Sequence, residues 1–345
     1  MACLHLSRRL FENTVNRRNK FERYTELDNF FRCIAALLNS GGGIAVLHTE
    51  STHLFGVFQE LVRDRLVRMI PDDSLFTAHF EANVHDDHHV YFRVKANAGR
   101  SVCISAFHTK LRVGTSLRDP TQSQFRKLLR ELTGQHSQIS EGQKRVRKLI
   151  LGNSGDVVTV GISTDIGACR TFMFQETEEM DARRLPTVEE NNPAKVFEYI
   201  WRSLPFFISA FSKLSAGGSV FYGIAEQKWT SSEKAVPGNA GRFMYEGALI
   251  LDKGQLREQI TTSAKMALLW YPSFPKDDPV DVVFHPVNTE DPGVQCYVVE
   301  VAVRHFPGVV FYNKEGPEVY ELRNGEPHRR HYSIDELVEM FQQSA

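Results

Sequence analysis

Apolar side chains recur at helical spacing between Leu27 and Leu38 (Leu27, Phe30, Phe31, Ile34, Leu37, Leu38), which predicts an amphipathic helix over residues 25–38. Thr25 supplies an N-cap with an acid, Asp28, three positions on. Asn39 to Gly43 ends the helix, because glycine tolerates the left-handed conformation of a C-cap. Residues 44–48 then read as a buried strand. A second stretch follows the same course. Asn192-Pro193 opens a helix, residues 196–200 give it an apolar face, and Pro205 bends or restarts it. It stops at Ala216-Gly217-Gly218, and residues 219–224 form the next strand. β-branched and aromatic content marks further strands at 90–94, 102–107, 282–285, 297–303 and 309–312.

The two stretches align without a gap. Residues 30–50 (FFRCIAALLNSGGGIAVLHTE) and 206–226 (FFISAFSKLSAGGSVFYGIAE) share six of 21 positions: two Phe, one Leu, two Gly and a final Glu. Downstream, Leu111-Arg112-Val113-Gly114 precedes an amphipathic run at 124–132, and Leu322-Arg323-Asn324-Gly325 precedes another at 333–341. Two copies are too few for a solenoid, so the economical reading is a duplicated lobe. Helices and strands mix without regular β-α alternation, which predicts an α+β class. The expected organisation is an N-lobe at 1–133, a basic connection at 134–155 and a C-lobe at 156–345, with residues 230–243 a surface insertion in the second copy.

Composition narrows the classes. A net charge of −1 hides a split, since residues 1–150 carry 23 Lys+Arg against 15 Asp+Glu and the remainder is acidic. Five dispersed cysteines without a C-x-x-C pair argue against a disulfide framework or a cysteine zinc finger. No 18-residue apolar stretch is present and the N-terminus lacks a secretory h-region, so a cytoplasmic or nuclear protein without membrane association is expected. Gly41–Gly43 is not followed by G-x-x-x-x-G-K-[ST], and ATP use by that route is not expected. No Ser-His-Asp or Cys-His arrangement stands out. His85-Asp86-Asp87-His88-His89 reads as a solvated turn rather than a cation site, and Trp229, Tyr222 and Phe221 as core.

Ala36-Leu37-Leu38-Asn39-Ser40-Gly41-Gly42-Gly43, followed in order by Leu204-Pro205-Phe206-Phe207-Ile208-Ser209-Ala210-Phe211, Gly217-Gly218 and Gly223-Ile224-Ala225-Glu226, resembles the core of the Schlafen family. The resemblance covers almost the whole chain, without the helicase-like extension of longer members. It implies two pseudo-symmetric lobes in a U shape around a basic valley that binds structured RNA. Several such proteins are metal-dependent endoribonucleases acting on tRNA and rRNA, and related ones form multi-subunit processors of small-RNA precursors.

Cleavage of this kind needs clustered carboxylates holding Mg²⁺ or Mn²⁺, hard ions that prefer oxygen ligands and lower the pKa of bound water. The family pattern E-x-x-x-x-E-F-K, followed about forty residues later by an acid, is met by Glu176, Asp181 (Asp for Glu), Arg183 (for Lys) and Glu226. Glu50 stands at the equivalent of Glu226 in the first copy. Two other registers are open: one through Glu189, which puts Arg184 at the first acid, and one placing Phe172-Met173-Phe174-Gln175 on the motif strand. The candidate metal set is thus Glu176, Asp181 and Glu226. The resemblance also implies a zinc site, but the matching stretches, Trp270 to Phe274 and Arg304 to Gly308, lack cysteine. No zinc is expected there, and apolar packing takes its place.

Candidate phosphate contacts are Arg17 and Arg18 with their neighbours Arg8, Arg9, Lys20 and Arg23, then Arg126, Lys127, Arg130, Lys144, Arg145, Arg147 and Lys148. Two functions follow from different classes: a metal-dependent endoribonuclease, or a catalytically silent RNA-binding or scaffolding subunit of a multi-Schlafen complex such as one processing piRNA precursors. Expected partners are RNA and a Schlafen-like paralogue or a second copy of the chain.

Overall fold

A computed structural model describes residues 2–5, 17–48, 55–70, 76–84, 89–96, 102–135, 171–174, 180–185, 195–226, 241–245, 247–287, 295–324 and 326–343. The first part of the chain runs β1 (Ala2–His5), α1 (Arg17–Asn39), β2 (Gly42–His48), α2 (Phe55–Met69), α3 (Phe76–His79), β3 (Phe80–Val84), β4 (His89–Lys95) and β5 (Ile104–Ala106). A short hairpin, β6 (Leu111–Val113) and β7 (Ser116–Arg118), precedes α4 (Gln122–Gln135). Then come β8 (Thr171–Phe174), β9 (Met180–Arg183), α5 (Val196–Trp201), α6 (Leu204–Phe211), β10 (Gly218–Tyr222), β11 (Ile224–Glu226), β12 (Gly241–Tyr245) and β13 (Ala248–Leu249). The last part holds α7 (Lys253–Met266), β14 (Leu269–Tyr271), β15 (Val280–Val287), β16 (Cys296–Val303), β17 (Val309–Phe311), β18 (Glu318–Arg323), β19 (Glu326–Arg330) and α8 (Ile334–Gln343). The mixture of helices and mainly antiparallel strands is an α+β fold.

The chain divides into two compact units, each assembled from separated segments. The first takes residues 1–108, 119–136 and 315–345; the second takes 109–118 and 137–314. The hairpin β6–β7 therefore belongs to the second unit, and the hairpin β18–β19 to the first. The physical reason lies in their partners. β6 packs on α6, whereas β18 packs on α1 and pairs with β5.

In the first unit, the sheet order is β1-β2-β4-β3, with β1 parallel to β2 and the other neighbours antiparallel. Helix α1 buries Phe30, Phe31, Ile34, Leu37 and Leu38 against Ala45, Leu47, Val90, Phe92 and Val94. The Asn39 side chain locks its C-terminal end. Its Nδ2 donates to the carbonyls of Cys103 (2.9 Å) and Tyr320 (3.0 Å), and its Oδ1 accepts from the Cys103 N–H (2.7 Å). Ser40 Oγ accepts from the Leu322 N–H at 2.7 Å. Asn and Ser at the helix end are thus sutures to the β18–β19 hairpin.

In the second unit, β9 is parallel to β10, β10 antiparallel to β16, and β16 antiparallel to β15. The run β9-β10-β16-β15 therefore has the same order and the same strand senses as β1-β2-β4-β3. A helix precedes the second strand in each. Both central strands start at aligned glycines, Gly42 and Gly218. A Cβ on Gly42 would sit 2.7 Å from the Val94 carbonyl oxygen, and one on Gly217 would collide with the Val303 carbonyl. In both units the strand entry passes too close to the neighbouring backbone for any side chain.

Several boundaries differ from the sequence expectation. Helix α1 begins at Arg17, eight residues before the Thr25 cap. The strand expected over 219–224 breaks at Gly223, whose φ of 99° separates β10 from β11. Pro205 restarts the helix as expected, at the first turn of α6. Phe221 and Tyr222 are buried, as expected of core residues. Trp229, residues 85–88 and nearly all of 134–155 lie outside the described residues, as do 230–240 of the expected insertion.

Candidate functional site

Of the acidic candidates, Asp181 is the one whose surroundings are described. It lies on β9, opposite Val220 of β10. Val220 and Tyr222 belong to the apolar cluster with α6, so the parallel register turns Asp181 and Arg183 toward the same helix. Arg112, from the turn-forming LRVG segment, donates to Asp181 Oδ2 at 2.7 Å, and both side chains are 0% exposed. Arg183 lies 3.0 Å from Oδ1. The two guanidinium groups rest on aromatic rings of α6: Arg112 5.4 Å from the centre of Phe211, and Arg183 5.0 Å from Phe207. Tyr222 closes the layer with its hydroxyl 3.1 Å from Ser203 Oγ, and burial pushes its phenol well above the ordinary range.

This arrangement bears on the three motif registers. β9, the strand parallel to β10 and just upstream of α5, spans Met180–Arg183, so the Asp181/Arg183 register lies on it. Phe172 to Phe174 belong to β8, in a separate sheet of order β11-β12-β8. Glu176 and Glu189 lie outside the described residues, as does Glu50. Glu226 ends β11, opposite Phe243 of β12, and its side chain is also outside them. β11 runs beside β9, tied by the Gly223 N–H donating to the Arg183 carbonyl at 2.8 Å.

The donor chemistry at Asp181 does not fit a Mg²⁺ or Mn²⁺ ligand. Its carboxylate charge is neutralised within the core by Arg112, and a cation would have to compete with a fully buried guanidinium held 2.7 Å from Oδ2. Truncating one member of such a pair typically costs about 3–5 kcal/mol, the scale of what a competing ion must overcome. Among the described residues no group of three His, Cys, Asp or Glu side chains is placed to hold a metal ion.

A second buried polar cluster lies on the opposite face of the same sheet. Ser219 Oγ donates to Glu300 Oε1 at 2.8 Å, and His285 Nε2 sits 2.8 Å from Oε2. The carboxylate occupies the centre, so the hydroxyl faces an acid rather than an imidazole base and is not an activated nucleophile. The sequence signal was a lone Glu within the apolar run Cys296–Val303.

The expected phosphate contacts separate by role. Arg126 lies over the Phe341 ring at 4.8 Å, half-buried, and burial lowers its guanidinium pKa. Arg130 donates to the Phe341 carbonyl at 3.3 Å. These two fasten α4 to α8, while Lys127 is 77% exposed and 3.7 Å from Glu131. Arg17 and Arg18 open α1 with side chains outside the described set. Lys144, Arg145, Arg147 and Lys148 also lie outside it.

At the segments where the resemblance implied zinc ligands, Trp270 packs edge-on against Phe274 (5.3 Å) and Phe306 (5.2 Å), with its indole N–H donating to the Ala264 carbonyl at 2.8 Å. Among the described residues no helix is long and apolar enough to cross a membrane. No protein-family model matches the chain, and no curated protein matches it.

Proposed function

We propose that this chain is a Schlafen-like RNA-binding protein of an RNA-cleaving system, its two units descended from an internal duplication. The observation that carries the reading is the shared strand order and sense of β1-β2-β4-β3 and β9-β10-β16-β15. The aligned glycine entries at Gly42 and Gly218 support it. The U shape and the basic valley belong to this same proposal, as does the assignment of Arg17, Arg18, Lys127 and the 144–148 cluster to RNA phosphates.

Two versions of the function remain distinct. In the first, the protein is a Mg²⁺- or Mn²⁺-dependent endoribonuclease cutting structured RNA or small-RNA precursors through Glu176, Asp181 and Glu226. In the second, it is a catalytically silent RNA-binding or scaffolding subunit that works beside an active paralogue. The buried Arg112–Asp181 pair favours the second, because it uses in the core the carboxylate that the first requires for a cation. Purified chain incubated with tRNA and Mn²⁺, next to Glu226→Ala, tests both. The silent version predicts no divalent-dependent cleavage by either protein. Cleavage by the wild type that Glu226→Ala abolishes would instead establish the nuclease. RNA binding itself should weaken steeply between about 50 and 200 mM salt; binding indifferent to salt would remove the RNA assignment.

A further inference from the structure

Arg126 and Arg130 stand one helical turn apart on the same face of α4, and both side chains reach Phe341 of α8. The Arg126 guanidinium lies over the Phe341 ring at 4.8 Å, and Arg130 Nη2 donates to the Phe341 carbonyl at 3.3 Å. The Nε and Nη2 atoms of Arg126 are sealed from solvent, and neither has a hydrogen-bond acceptor among the described residues. These two nitrogens form the guanidinium edge whose parallel N–H bonds meet an oxyanion in bidentate fashion. Burial works against the Arg126 cation, Cys103 works for it, and Arg130 works against it. Glu131, next in sequence to Arg130, reaches Lys127 at 3.7 Å instead.

We propose that the Nε/Nη2 edge of Arg126, with Arg130 beside it, binds a dianionic phosphate between α4 and α8, either inorganic phosphate or a phosphomonoester. Buried donors are as a rule satisfied, and a guanidinium edge with both N–H bonds unmade is the exception that points to an ion. Like charges four residues apart on a helix repel, so one anion shared by the pair relieves that repulsion as well as the unmade bonds. Two guanidinium groups carry two positive charges. A phosphomonoester matches them, whereas a carboxylate is a monoanion and leaves one charge uncompensated. A phosphodiester of a nucleic-acid backbone is likewise a monoanion. The site therefore differs in kind from the backbone contacts assigned above to Lys127 and the 144–148 cluster, and it does not rest on them. The consequence is structural as well as chemical, because an anion held here joins the α4 face to the last turns of α8.

The test titrates the full chain by calorimetry at about pH 8, where phosphomonoesters are dianionic, and at a fixed ionic strength of about 0.15 M. The probes are inorganic phosphate, adenosine 5′-monophosphate and acetate. One phosphate should bind per chain and raise the melting temperature. Tighter binding of the nucleotide marks a phosphomonoester as the occupant, and tighter binding of inorganic phosphate marks the free ion. Arg126→Lys keeps the charge and gives up the two-donor edge; it should lose roughly tenfold or more in affinity, the worth of one charge-assisted hydrogen bond. Arg130→Gln should also bind more weakly. Both variants are checked for folding by circular dichroism. Arg323→Gln, at an exposed arginine of the same unit, should bind like the wild type. A wild type with no saturable binding of either phosphate overturns the proposal without recourse to any variant. So does an Arg126→Lys chain of wild-type affinity, or acetate binding as tightly as phosphate.

Discussion

Removing Arg112 from its buried pair should unfold the second unit at markedly lower temperature, and removing Asp181 as well should restore it. Both side chains are fully inaccessible and 2.7 Å apart, so neither recovers hydration when its partner is lost. Breaking such a pair from one side costs about 3–5 kcal/mol, whereas replacing both members with apolar groups of similar volume is neutral or stabilising by about 1–4 kcal/mol. Arg112→Met should fall near the lower figure, because Arg183 still reaches Oδ1 from a 45% exposed position. Asp181→Leu removes the carboxylate that faces the buried Arg112 guanidinium and should cost at least as much. For a unit of this size about 1 kcal/mol moves the melting temperature by roughly 2–4 °C, so each single variant should melt about 6–20 °C lower. Scanning calorimetry of the wild type, both single variants and Arg112→Met/Asp181→Leu closes the cycle. A double variant no more stable than the worse single one would refute the compensation. A metal arm separates structure from catalysis. If Asp181 were a cation ligand, Mn²⁺ in place of EDTA would raise the wild-type melting point, and more so with Arg112 removed. The buried pair predicts no change in either protein.

Lys213 donates to the carbonyl and hydroxyl of Ser209, and burial lowers its ammonium from the ordinary 10.5 to about 7. Between pH 7 and 10.5 the unfolded chain then holds a proton that the folded one lacks, so stability should rise with pH across that window; Lys213→Met should flatten the rise and raise the urea midpoint at pH 6, and an unchanged slope would contradict the assignment. Asn39→Ala should cost about 2–3 kcal/mol by orphaning the Cys103 N–H, and Asn39→Asp should be worse, since it turns a carboxylate oxygen toward the Cys103 and Tyr320 carbonyls; equal chemical-denaturation midpoints for the two variants would count against this hub. Gly114→Ala should lose about 1–2 kcal/mol for left-handed backbone alone, as nothing lies within 4 Å of its added Cβ. Gly217→Ala has the same backbone cost plus the clash with Val303, so a smaller loss there than at Gly114 would deny the close approach.

The helix–glycine–strand units are legible in the sequence because each carries three independent signals: apolar spacing, a glycine stop and a β-branched run. α7 has signals of its own, the Asp252 side chain accepting from the Gln255 N–H at 2.9 Å and Leu256, Ile260 and Ala264 buried four apart, yet it lies outside the aligned 21-residue stretches and escapes a reading built on them. β1 and β9 are not legible. Four residues such as Met180–Arg183 show neither alternation nor hydrophobicity, and they become strands only through pairing with β10, some forty positions later. In isolation, residues 176–181 read as a charged loop.

The repeat also shows why backbone is easier to carry across than chemistry. Leu111-Arg112-Val113-Gly114 and Leu322-Arg323-Asn324-Gly325 both make hairpins, and both turns use left-handed backbone, at Gly114 (φ 57°) and Asn324 (φ 54°). Their arginines have opposite fates. Arg323 is exposed, whereas Arg112 is sealed against Asp181, 69 residues away. A spacing rule fixes where an acid falls on a strand, and Asp181 does fall on the strand beside β10. It cannot fix what faces that acid, which here comes from a hairpin 69 residues upstream. A carboxylate at a motif position binds a metal only in competition with the cations its neighbours already supply, and Asp181 has Arg112 at one oxygen and Arg183 3.0 Å from the other.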